Sequence, residues 1–115
     1  GLRDLLGLTV PDDRVGCLQD IHWPSGAFGY FPTYTLGALA AAQLIHAARS
    51  AEPALPDRLA QGDFGPLRDW LRTNVHAVGS LLDTDALLTR ATGTPLGTEA
   101  FRAHLEARYL GGSGA

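Results

Sequence analysis

Apolar residues return every three or four positions through most of this chain, which is the signature of helices that bury one face. From Pro32 to about Ser50, Leu36, Leu39, Ala40, Gln43, Leu44 and Ala47 fall on one such face. Pro32 supplies a preset φ at the first turn, and Pro53 and Pro56 enforce a break after the last. The many alanines in between allow a neighbouring helix to approach closely. A short helix is expected over Pro56 to Gln61, ended by Gly62. Asp63 is placed to cap the next, with Pro66 in its first turn and Leu67, Trp70, Leu71, Val75 and Val78 forming one apolar stripe up to Gly79. Asp83 or Thr84 caps another, with Leu87, Leu88 and Ala91 inside and Gly93 stopping it. Thr98 followed by Phe101, Leu105 and Tyr109 gives the last helix, and GGSGA from Gly111 reads as a flexible tail. No segment alternates with the period of a strand, and neither a repeat nor a long linker divides the chain. The pattern predicts an all-α protein of about five helices, with a single helical domain over residues 1–110 and a tail over 111–115.

One stretch does not follow the helical period. Residues 16–34, GCLQDIHWPSGAFGYFPTY, gather aromatics around Gln, Asp, His and Tyr without a Lys or Arg. A core segment would avoid Gln19, Asp20 and His22 so close together, because each buried polar group costs a few kcal/mol unless it is hydrogen-bonded. An exposed loop would not carry Trp23, Phe28, Tyr30, Phe31 and Tyr34. The segment is therefore expected to line a cleft.

Composition narrows the function classes. The chain has 115 residues, with 9 basic against 12 acidic side chains. Every basic residue is Arg, and these are scattered from Arg3 to Arg108. That balance argues against nucleic acid or an anionic membrane as partner, since both need clustered positive charge. Cys17 is the only cysteine, which excludes an intrachain disulfide and a thiolate metal cluster and fits a reducing, cytoplasmic setting. Cys17 itself reads as a small apolar filler, and no Cys or Ser has a visible base and orienting acid for nucleophilic catalysis. The longest apolar run, Leu36 to Ala48, is too short to span a bilayer and is interrupted by Gln43 and His46. The amino terminus lacks the charged-then-apolar pattern of a signal peptide. His46, His76 and His104 sit on three separate predicted helices, with nothing to make them converge.

Gly16-Cys17-Leu18-Gln19-Asp20-Ile21-His22-Trp23 matches GxxQDxHW. Together with Gly26-Ala27-Phe28-Gly29-Tyr30-Phe31-Pro32-Thr33-Tyr34 and Ala41-Ala42-Gln43-Leu44, it resembles the carboxypeptidase Taq family of zinc metallocarboxypeptidases. Pro66-Leu67, Trp70-Leu71-Arg72, His76, Ala91-Thr92-Gly93, Phe101 and Tyr109 resemble that family's carboxyl-terminal helices, so the likeness covers essentially residues 1 to 110. Ala38 departs from it, standing where the family pattern has Asn. The resemblance implies zinc held by an HExxH helix and a later Glu. None of those ligands is recognisable here, because His22, His46, His76 and His104 are followed by Trp, Ala, Ala and Leu. No metal site and no cofactor are expected in this chain, zinc belonging to the full-length relatives.

Placed within that family, the segment implies the cleft wall facing the zinc helix. His22 and Tyr30 are the candidate catalytic donors to the carbonyl oxygen that gains negative charge as a peptide is cleaved. Tyr34 would contact substrate backbone or carboxylate. Gln19 and Asp20 would act at the substrate site by orienting His22 through hydrogen bonds that select its tautomer. Two functions follow. In the first, the chain is part of an enzyme that removes carboxyl-terminal residues from peptides, and it is inactive alone for want of its amino-terminal catalytic portion. In the second, it is a stand-alone, truncated, non-catalytic relative that uses its helical surface for self-association or for binding another protein. Either leaves apolar faces uncovered, so a homodimer is expected.

Overall fold

The computed structural model describes residues 2–110, with side chains from Arg3 onward; the tail expected at 111–115 lies outside the described residues. Among the described residues there are six α-helices: α1 (Leu2–Leu6), α2 (Pro32–Ala51), α3 (Leu55–Ala60), α4 (Gly65–Asn74), α5 (Thr84–Thr92) and α6 (Glu99–Leu105). Among the described residues there is no strand, so the protein is all-α. Helices α2 to α6 fall where the apolar pattern places them, while α1 is a single short turn-and-a-half that its sequence did not announce. No described helix is long and apolar enough to cross a membrane.

The chain divides into two compact units, residues 1–33 and 34–115. Among the described residues, the buried side chains all lie in the second: Ala42, Gln43 and Ala48 from α2, Leu55 from α3, Val78 after α4, and Leu88 from α5. Its helices begin and end for identifiable reasons. The Asp83 carboxylate accepts from the Ala86 amide at 2.8 Å, capping α5. At the other end Gly93 sits at φ +88°, a left-handed conformation that costs an L side chain roughly 1–2 kcal/mol. Asp63 accepts from the Gly65 amide at 2.9 Å and is gripped by both Nε and Nη2 of Arg58, which ties the end of α3 to the start of α4. Those contacts, the Gly65 amide first and then Arg58, hold the Asp63 carboxyl below the usual carboxylate range.

The stripe of α4 is half-buried as its spacing requires, yet the helix stops at Asn74 rather than running to Gly79. In the last turn Asn74 Nδ2 donates to the Trp70 carbonyl and the Val75 amide to the Leu71 carbonyl, each at 2.9 Å. A single 3₁₀ turn, His76–Val78, then carries the chain to Gly79 and places Val78 inside. At the far end, α6 loosens into a π-helical turn over Glu106–Leu110.

Candidate functional site

Residues 16–31 form the chemically dense part of the first unit, and short-range bonds build it. Two 3₁₀ turns, Asp13–Val15 and Cys17–Gln19, meet at Gly16. A Cβ there would stand 2.6 Å from Val10 Cγ1 and 3.3 Å from the Asp12 carbonyl oxygen, so a side chain at this position would force Val10 and the turn to move. Asp12 accepts from the Val15 amide at 3.2 Å, and Gln19 Nε2 donates to the Arg14 carbonyl at 2.6 Å, closing the loop across Gly16. After Asp20 the chain turns again. Ser25 Oγ donates to the Ile21 and His22 carbonyls at 2.8 and 3.0 Å, and the Ala27 amide reaches the His22 carbonyl at 2.8 Å.

At the centre of this turn lies the pair Asp20 and His22. Asp20 Oδ1 accepts from the His22 amide at 3.0 Å and lies 2.5 Å from His22 Nδ1. One carboxylate oxygen thus fixes both the backbone and the ring of the residue two positions on. The His22 amide is the larger cause, followed by the ring, of a carboxyl held below its usual range at Asp20. The ring of His22 stacks on Tyr30, centroids 5.5 Å apart and 26° between planes, and touches Phe31 at 4.6 Å and 45°. Trp23 and Phe28 lie 6.1 Å apart on the same segment.

The structure therefore brings Asp20, His22 and Tyr30 together. It places Gln19 against Arg14 rather than in a bond to His22, and it places Tyr34 on α2, at the opening of the second unit, half exposed. None of the aromatics in the run is buried within this chain: Trp23 is 62% exposed, Phe28 75% and Tyr30 47%. Cys17 is exposed too, not the buried filler its size suggested.

Sequence reasoning placed Gln43 on a helical face and in the Ala41-Ala42-Gln43-Leu44 motif, without assigning it partners. In the structure it is buried on α2, with Nε2 2.8 to 3.0 Å from Thr92 Oγ1, Thr94 O, Thr94 Oγ1 and Pro95 O. Its Oε1 accepts from the Gly97 amide at 3.2 Å. The two amide hydrogens are shared among four oxygens, so one side chain bonds three backbone groups and two threonine hydroxyls at the connection between α5 and α6. The signal was available: a Gln on the inward face of an Ala-rich helix must find partners. An open groove of about 740 Å³ adjoins it, lined by α2, α5 and α6. No residue of the Asp20–His22–Tyr30 group lines that groove.

Among the described residues no three His, Cys, Asp or Glu side chains are grouped to hold a metal ion. The donors that zinc requires, three protein ligands with an open position, do not fit what these residues offer.

Comparison with known proteins places this geometry. A thermostable carboxypeptidase 1 of Thermus thermophilus is 45% identical over 107 residues, 93% of this chain and 21% of its own length. Its namesake from Pyrococcus furiosus is 39% identical over 109 residues, 95% of this chain and 22% of its own. Among solved structures, metallocarboxypeptidase 1 of Trypanosoma cruzi superposes with a TM-score of 0.83 at 46% identity, covering 95% of this chain and 23% of that one. The chain thus spans about a fifth of the length of the relatives it matches. The sequence profile described as "Carboxypeptidase Taq (M32) metallopeptidase" matches residues 1–109, and the chain belongs to that family.

Proposed function

We propose that this chain forms the carboxyl-terminal wall of the cleft in a zinc metallocarboxypeptidase-like protein that removes carboxyl-terminal residues from peptides, and that it is inactive alone. The observation that carries this reading is the Asp20–His22–Tyr30 group inside a segment matching GxxQDxHW. Its imidazole is fixed from one side by a carboxylate and stacked on a phenol ring. A group meant to act on a substrate must be held in place before the substrate arrives, and these contacts do that with residues close in sequence.

In this reading His22 and Tyr30 donate to the peptide carbonyl oxygen as it gains negative charge. With Nδ1 on Asp20, His22 presents Nε2 as its other polar atom, which donates when the ring carries both protons. Asp20 is a positioning residue, Gln19 steadies the turn from which it projects, and Tyr34 contacts the substrate backbone or carboxylate. Zinc, whose ligands these residues do not supply, belongs to the rest of the enzyme.

The test replaces the aligned segment of the Thermus thermophilus relative with this chain and measures release of the carboxyl-terminal residue from a peptide. The chimera is expected to hydrolyse and the isolated chain not to. His22→Ala and Tyr30→Phe should each lower kcat by roughly 10²-fold with little change in KM. Unchanged kcat in both variants, or hydrolysis by the isolated chain, overturns the proposal.

A further inference from the structure

Helix α6 carries apolar side chains on two sides with little of this chain to cover them. On one side Ala100 and Ala103 join Ala47 of α2 and Ala91 of α5 in the groove of about 740 Å³, with His46 and Glu99 among its polar lining. On the other, Phe101, Leu105, Tyr109 and Leu110 edge an almost wholly apolar depression of about 450 Å³. Tyr109 is 68% and Leu110 78% exposed. A helix with apolar residues on more than one side belongs inside a larger body.

We infer that both sides of α6 are docking faces for the polypeptide that makes up the other four-fifths of the family's fold, so that α6 is an internal helix of the complete enzyme. The inference rests on the proposed function for the existence of that partner and adds where it binds. Two observations favour it over a second copy of this chain. The same helical arrangement, at a TM-score of 0.83, recurs inside a chain of which it is only 23%. A two-fold contact between copies also covers one self-complementary patch per copy. Here exposed large apolar side chains occur in both units, those next to α6 (Leu105, Tyr109 and Leu110) lie on one side of it, and the groove on its other side is open and lined mainly by alanines and short polar side chains. Covering all of them takes a partner that surrounds the segment.

The experiment places a reporter on the groove side of α6. Ala103→Cys in a Cys17→Ser background removes the exposed native thiol and sets one sulfur in the groove, and maleimide labelling is timed in the isolated chain and in the chimera described above. Labelling should be fast in the isolated chain at every concentration and at least about tenfold slower in the folded chimera. Ala103→Trp should leave the melting temperature of the isolated chain unchanged and lower that of the chimera, because only there is the space filled. If the chimera does not fold, the same cysteine at the aligned position of the intact Thermus thermophilus relative is labelled instead. Equal labelling rates in the isolated and complete proteins overturn the inference. So does labelling of the isolated chain that slows as its concentration rises, which would make the occupant a second copy. Slow labelling in a chimera whose turnover His22→Ala leaves intact would uphold the docking face while removing the catalytic reading.

Discussion

Residues 2–33 and residues 34–110 hold their polar groups in opposite ways. In the first region Asp20 and Gln19 bond groups two to five positions along the chain, and among the described residues no side chain is buried. In the second, Gln43 reaches partners 49 to 54 positions away and sits among the buried residues of the helices. The first device needs no core and sets the direction of a few side chains. The second needs a core and gives the helices one arrangement. Chemistry can therefore be carried on a turn that contributes little to stability, while the stability resides elsewhere.

The contrast is broken most directly at Leu88, which is 3% exposed on α5. Leu88→Ala should destabilise the second region by about 2–5 kcal/mol, read as an earlier urea midpoint by circular dichroism. A smaller loss is expected from Gln43→Ala. It strips the Gly97 amide of its acceptor and several oxygens of their donor, costing about 1–3 kcal/mol, and amide exchange should quicken between Thr92 and Gly97. Gly93→Ala forces a side chain into a left-handed position and should cost about 1 kcal/mol by the same urea measurement. Were these three effects no larger than those of changes in the aromatic turn, the division between the regions would fail.

Asp20 sharpens the comparison with an effect on geometry more than on stability. Its carboxyl is held low in the folded protein by the His22 amide and then the ring. The bonds therefore contribute fully above the ordinary aspartate value of about 3.9 and are lost as the pH falls through the lowered value. The shifted amide resonance of His22 should persist at about pH 5 and collapse only in stronger acid. In Asp20→Asn this acid transition should disappear while the helical signal stays unchanged.

Much of this architecture can be read from the residue order because its punctuation is local. Pro32, Pro66, Asp83 and Gly93 start or stop helices through their own backbone or side-chain chemistry, and α2 to α6 follow. What escaped lies outside that punctuation. α4 gives way to a 3₁₀ turn after Asn74, whose side chain bonds the Trp70 carbonyl, although the apolar period runs on to Val78. Gln43 stood on a helical face and in a motif without assigned partners, since nothing near it names Thr92, Thr94, Pro95 or Gly97. In the site, the family resemblance implied that Asp20 and Gln19 both orient His22; Asp20 bonds its amide and ring, whereas Gln19 reaches the Arg14 carbonyl, a partner that depends on how the turn at Gly16 closes.

The span of the Gln43 bonds bears on the order in which this protein assembles. Helices such as α2 and α5 can begin to form from contacts a turn apart, but a side chain whose partners lie some fifty positions off must wait until the intervening chain has come back on itself. Its amide closes late, as a clasp fastened after the garment is on, and holds the native state mainly by slowing its escape.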